Sequence, residues 1–319
     1  MIYFLAVGTP FLILIIFGPG LIKGLNYLNY GQRIRGEGPK SHLKKEGIPT
    51  MGGILIITAV LISSILFIDL DSYAFWALLT TLGMGIVGFL DDIIKIRSNR
   101  SLGLKARQKL IGQILVSFIL AIYLVFFSDI GTAMIIPVIG IEYDLGYWMI
   151  PFIVFFVVGF ANAVNLTDGL DGLASGVTTI VCTAMALIIS ALGFEQLSIF
   201  GLIVGGACLG FIWFNSHPAQ VFMGDVGSLA LGGAVASLAV LSRTQFFLLI
   251  IGGVYVVETL SVMIQVSYFK LTKGKRVFRM TPIHHHYELT GLAEGKVVAR
   301  FWVCSIILAL LGFVSFYII

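Results

Sequence analysis

Charge is scarce in this chain: of 319 residues only 11% are Asp, Glu, Lys or Arg, while 58% are hydrophobic and the mean hydropathy is +1.03. Water-soluble domains carry about a quarter charged residues, so a soluble protein is excluded at the outset. Cysteine is nearly absent. Cys182, Cys208 and Cys304 stand singly in three apolar runs, with no CxxC spacing and no nearby histidine. They read as small apolar side chains in helices, not as a disulfide framework or thiolate metal site. No P-loop signature and no Gly-rich dinucleotide turn occurs, which argues against ATP-driven chemistry. The first segment, 2–22, has neither a basic n-region nor a small-x-small cleavage site and is read as a retained helix. Soluble domains, linkers and low-complexity tracts are also missing, so the chain reads as one membrane domain spanning 1–319.

Apolar runs are abundant. They lie near 2–22, 49–68, 73–90, 110–128, 147–164, 173–193, 197–214, 227–241, 246–269 and 299–318. An α-helix needs about 20 residues to cross hydrocarbon, so the expected fold is an all-α polytopic bundle of about ten transmembrane helices. The eighth run is short and rich in Gly and Ala, and the ninth carries Gly252-Gly253, where a bend or break is expected. The 129–146 stretch, with Pro137, Gly140 and Gly146, reads as a short hairpin or interfacial turn. If both termini lie outside, nineteen of the twenty Lys and Arg residues fall in loops facing the cytoplasm, and only Arg243 lies outside. This location of the charges, not nucleic-acid binding, accounts for the net charge of +4.

Four polar clusters share that inner face. Asp91 and Asp92 sit at the C-terminal end of the third run, where the helix dipole disfavours carboxylates. They read either as a solvated pair tied to Lys95 or as a general base with a ligand for a hard cation such as Mg²⁺. The stretch 162–172 holds Asn162, Asn165, Asp168 and Asp171 among glycines. Asp168 and Asp171 either begin the sixth helix or serve a nucleoside or metal-bound phosphate. The stretch 215–228 holds Asn215, Phe222 and Asp225; Phe222 either stacks on a base or plugs the bundle. His284, His285 and His286 lie in the most basic loop and cannot all point one way. With no cysteine beside them, phosphate or sugar binding suits them better than zinc. Carboxylates surrounded by Lys, Arg and His are what phosphoryl transfer requires. Glu258 is a carboxylate about 18 Å into the bilayer, on the face of Gln265, and this face is expected to line a groove or pack polar groups internally. A secondary transporter is the rival reading, although transporters place their polar groups near the midplane.

The stretches PTMGG at 49–53, GFLDD at 88–92, NLTDGLDG at 165–172, VFMGDVGS at 221–228 and PIHHHYEL at 282–289 together resemble the polyprenyl-phosphate N-acetylhexosamine-1-phosphate transferases. Within them the histidine stretch resembles the phospho-N-acetylmuramoyl-pentapeptide branch, not the UDP-GlcNAc-using relatives. The resemblance covers the whole chain. It implies a bacterial inner-membrane enzyme with outward termini and a cytoplasm-facing site. Its substrates would be UDP-MurNAc-pentapeptide and undecaprenyl phosphate, its products lipid I and UMP, its cofactor Mg²⁺, and its assembly a homodimer. It further implies metal binding by Asp225 with Asp92, and catalytic roles for Asp91, Asp92 and Asp168. Lys44 or Lys45, Gly169, Leu170, Asp171, Asn215 and Phe222 would form the uridine region. Lys95, Lys109 and the three histidines would hold phosphates or sugar, and Thr50, Asn162, Asn165 and Gln265 would complete substrate binding. Asp91 is expected to deprotonate the lipid phosphate for direct attack, with a covalent aspartyl intermediate as the competing route.

Overall fold

A computed structural model of the chain describes residues 1–28, 45, 47–98 and 103–318, which build a helical bundle with one small hairpin. The first four helices are α1 (Ile2–Tyr27), α2 (Gly53–Phe67), α3 (Tyr73–Ser98) and α4 (Ala106–Phe127). Strands β1 (Ala133–Ile135) and β2 (Glu142–Asp144) precede α5 (Met149–Thr167), α6 (Leu173–Ala191), α7 (Glu195–Asn215) and α8 (Gly224–Leu241). The order closes with α9 (Gln245–Ile251), α10 (Gly253–Leu271), α11 (Ile283–Leu289) and α12 (Glu294–Tyr317). Among the described residues nine helices are long and apolar enough to cross a membrane. The chain is a multi-pass helical membrane protein.

The outer helices turn their large apolar side chains outward: Leu115 and Ile119 of α4, and Leu310 and Leu311 of α12, each expose more than half their surface. In water such faces would be a liability; against hydrocarbon they are the favoured solvent contact. Inside, α8 is buried along nearly its whole length, packed by α2, α3, α5, α6, α7 and α9. That position explains its Gly and Ala content, because a central post touched on every side leaves no room for bulk. A Cβ on Gly88 of α3 would lie 2.1 Å from the Asp225 carbonyl oxygen of α8, and one on Gly53 of α2 would lie 2.3 Å from the backbone of Gly227. Glycine at these crossings brings the backbones of three helices together.

Two expectations from hydropathy are refined. The run near 49–68 yields only the 15 residues of α2, a rise of about 22 Å against about 30 Å of hydrocarbon. The residues before it are held by another segment instead: Met51 adopts φ +68°, Gly52 N and Gly53 N donate to the Phe222 and Met223 carbonyls at 2.8 and 2.9 Å, and Phe222 N donates to the Pro49 carbonyl at 2.8 Å. The run near 246–269 breaks at Gly252, which ends α9 and begins α10, as expected from its glycine pair.

The hairpin expected at 129–146 is present, with Ala133 opposite Asp144 and Ile135 opposite Glu142. It is fastened to the turn after α8, where Ile135 N donates to the Arg243 carbonyl at 3.1 Å, Arg243 Nε donates to the Ala133 carbonyl at 3.1 Å, and the guanidinium pairs with Glu142. Val138 N donates to the Ser315 carbonyl near the end of α12 at 3.1 Å. The 18 residues of α8 separate this end from Asp225, about 27 Å along the axis.

Candidate active site

The close approach of α3 and α8 decides where the carboxylates meet. Asp91 and Asp92 follow Gly88 on α3 by one turn, and Asp225 opens α8. One carboxylate oxygen from each of the three lies within 4.8 Å of the others. The Lys95 ammonium sits among them, 2.6 Å from Asp91 Oδ2, 3.2 Å from Asp92 Oδ1 and 2.9 Å from Asp225 Oδ2. Lys109, from the start of α4, donates to Asp225 Oδ2 at 2.7 Å. Asn165, near the end of α5, donates to Asp225 Oδ1 at 3.0 Å and to Ser228 Oγ at 2.8 Å. The outer oxygens of the buried pair are held by backbone: Leu104 N donates to Asp91 Oδ1 at 2.8 Å, and Val226 N to Asp92 Oδ2 at 3.0 Å. The pairing of Asp91 and Asp92 with Lys95 expected from spacing is therefore real, and Asp225 joins it. Gly224 adopts φ +73°, and a Cβ there would lie 2.5 Å from Asp92 Oδ2 and 3.0 Å from Thr50 Oγ1, so Thr50 borders the cluster.

Three oxygen donors converging on one positive group suit a hard divalent cation, which prefers carboxylate oxygens and tolerates no soft ligand. The residues present fit Mg²⁺. His284, His285 and His286 join neither of the two metal-capable groups among the described residues, the second of which is Asp171, His217 and Glu294.

Asp168 ends α5, outside the three-carboxylate set. Desolvation, followed by the Asp225, Asp92 and Asp171 carboxylates, pushes its pKa well above the usual aspartate range. The alternative that it caps the sixth helix fails, since α6 is capped by Gly172 at φ +79° without a side-chain bond. A carboxyl whose pKa is raised on folding is stabilising while protonated and loses that contribution as pH rises above the unfolded value, about 3.9. Asp168→Asn is thus expected to raise the melting temperature in EDTA at pH 7, with the difference shrinking as pH falls toward 4. Thermal unfolding in detergent at the two pH values checks this.

A second cluster lies on the α6 side. Asp171 Oδ1 accepts from Lys45 Nζ at 2.6 Å, and Asp171 Oδ2 lies 2.9 Å from His217 Nδ1 and accepts from Ala219 N at 3.2 Å. Glu294, in the first turn of α12, also pairs with Lys45, and its Oε1 accepts from Asp171 N at 2.9 Å. Glu294 and His217 were not singled out by the sequence as site residues. Glu294 resembled an ordinary acidic helix start and is 249 positions from Lys45, and only proximity in space reveals the pairing.

The remaining expected residues are placed as follows. Asn215, buried, accepts from Gly172 N at 3.1 Å and donates to the Val221 carbonyl at 2.9 Å, which ties the start of α6 to the loop before α8. Leu170 is buried and Phe222 half-buried. Asn162 donates to Gln113 Oε1 at 2.9 Å and to its own helix. Gln265 accepts from Val277 N and Phe278 N at 2.9 and 3.0 Å. The histidines do diverge: His284 is buried against Gly169 and Glu258, His285 Nδ1 lies 2.8 Å from Glu288, and His286 Nδ1 accepts from Arg279 N at 3.2 Å. Lys44 lies outside the described residues.

Residues 74–243 match the profile of glycosyl transferase family 4, and residues 45–57 match phospho-N-acetylmuramoyl-pentapeptide-transferase signature 1. A phospho-N-acetylmuramoyl-pentapeptide-transferase of Desulforamulus reducens is 48% identical over 98% of this chain and 95% of its own length. Those of a Geobacillus species and of Bacillus subtilis are 49% and 48% identical, over 97% and 95% of this chain and 96% and 94% of theirs.

Proposed function

The chain belongs to the phospho-N-acetylmuramoyl-pentapeptide-transferase family, and from that premise we propose the following reaction. It transfers phospho-MurNAc-pentapeptide from UDP-MurNAc-pentapeptide to undecaprenyl phosphate, releasing UMP and leaving lipid I in the membrane. The observation that carries the reading at the level of chemistry is the convergence of Asp91, Asp92 and Asp225 on one cationic point. Asp225, the most accessible of the three, and Asp92 would hold Mg²⁺, which would supply positive charge against the diphosphate oxygens. Lys95 and Lys109 bind phosphate oxygens as the donor enters. Asp91 accepts the proton of the lipid phosphate, and the freed oxygen attacks the β-phosphorus. Lys45, Asp171 and their partners hold the uridine end. Both termini face outward, so the carboxylates open to the cytoplasm, where the donor is soluble.

Purified protein in detergent is given UDP-MurNAc-pentapeptide, undecaprenyl phosphate and Mg²⁺, and UMP release is measured with the lipid product identified by mass. Absence of both products overturns the reading; preference for UDP-GlcNAc moves the chain to the sister activity. Exchange of labelled UMP into donor without polyprenyl phosphate would replace direct attack by a covalent aspartyl intermediate. Glu294→Ala removes the shared anchor of Lys45 and the Asp171 backbone. Its KM for the nucleotide donor is expected to rise about tenfold, with kcat changed much less, as steady-state kinetics will show.

A further inference from the structure

One face of α10 is polar where the helix should be apolar. Glu258, Ser261 and Gln265 are all buried along it, and each turns toward the loop that carries the histidines or toward its own helix. Gln265 fixes the loop backbone at 277 and 278. Glu258 meets His284: Oε1 lies 3.1 Å from Nδ1, and both side chains are 0% exposed. Among the described residues no side-chain oxygen or nitrogen of either residue makes a hydrogen bond, so this close contact is the one polar pairing they have. Enclosing a carboxyl and an imidazole together costs desolvation energy, so such a pair is not explained by stability alone. The far edge of the same imidazole touches the site. A Cβ on Gly169 would lie 2.2 Å from His284 Nε2, and Gly169 follows Asp168 directly.

We propose that Glu258 is a positioning residue: from inside α10 it holds the His284 ring against Gly169, and so seats the histidine loop on the Asp168–Asp171 turn. Gln265 pins the loop at its start and Glu258 at its helix, two points seven residues apart on one helix face. The His284 ring packs 4.1 Å, centroid to centroid, from that of His285, so a displaced His284 displaces its neighbour. The role in turnover rests on the proposed transferase activity; the position of His284 does not.

Two measurements test it. In the first, kcat/KM for UMP release is compared for wild type, Glu258→Gln, Glu258→Met, His284→Ala and the Glu258→Met/His284→Ala double variant. Loss of a group that orients a site residue typically reduces activity about 10- to 100-fold. Glu258→Met is expected to fall in that range, while Glu258→Gln, which keeps an acceptor for Nδ1, stays within about threefold of wild type. The double variant is expected to be no worse than His284→Ala alone. A Met variant with wild-type activity, or losses that multiply in the double variant, overturns the proposal. If the Met variant does not fold, Glu258→Asp, which withdraws the carboxylate by one methylene, enters the same cycle. In the second, diethyl pyrocarbonate labelling read by mass spectrometry is expected to spare His284 in wild-type protein and to reach it in folded Glu258→Met or Glu258→Asp. Labelling of His284 in the wild type overturns the proposal whatever the activity.

Discussion

Asp225→Asn is expected to lower kcat for UMP release at least ~10²-fold, about 2.7 kcal/mol in barrier, with the protein still monodisperse and folded. Of the three converging carboxylates, Asp225 alone receives both Lys95 and Lys109, at 2.9 and 2.7 Å. Asparagine keeps the shape and the contact with Asn165 but removes the negative charge on which the cluster balances. Val226 N still donates to Asp92 Oδ2 after the change, so α8 stays joined to α3, whereas Lys109 loses its carboxylate. A cation site that loses one of its carboxylates binds more weakly. The Mg²⁺ concentration for half-maximal activity should therefore rise in the variant, and EDTA should abolish the residual rate. Activity at saturating Mg²⁺ within tenfold of wild type would place the chemistry elsewhere in the bundle.

Gly88→Ala is expected to cost as much activity without altering a polar side chain. The added methyl would stand 2.1 Å from the Asp225 carbonyl oxygen and 2.6 Å from Val226 N. These are backbone atoms, which cannot swing aside as a side-chain end would. The helices must separate by more than an ångström, and overpacking of this kind costs roughly 1–3 kcal/mol of stability. The larger consequence is geometric. Val226 N is the donor to Asp92 Oδ2, so the contact that is pushed apart is the one that registers α3 against α8. A misplacement near 1 Å at a reacting centre lowers rates about 100-fold. We expect kcat to fall at least that far, with a melting temperature lower by several degrees. Gly83→Ala is the control: its methyl would meet only the side chain of Val116, at 2.9 Å, and should cost far less.

Much of this was legible in the sequence because hydropathy and charge report directly on the surroundings of a helix in a membrane. The long runs became helices, the glycine pair at 252 and 253 became a break, and Pro137 and Gly140 became a hairpin turn. The Asp91, Asp92 and Asp225 cluster could be expected because all three lie in polar stretches at run ends assigned to the same face. What stayed hidden was pairing across long separations. Glu294 looked like a helix start, and nothing near it in the chain pointed to Lys45 or Asp171. Glu258 stood out as a carboxylate deep in an apolar run, but that its partner would be His284 and not Gln265 depended on how α11 folds back, which periodicity does not encode. The shortness of α2 was masked because residues 49–52 are apolar enough to extend the run, while their backbone turns at Met51 and is hydrogen-bonded to residues 222–223.

The hairpin bears on how a bulky donor is admitted. A ribbon threaded between the turn after α8 and the tail of α12 laces one end of the barrel of helices, with hydrogen bonds from Ile135, Val138 and Arg243. With that end laced, room for a nucleotide sugar and its peptide has to be found at the opposite end, where Asp225 lies.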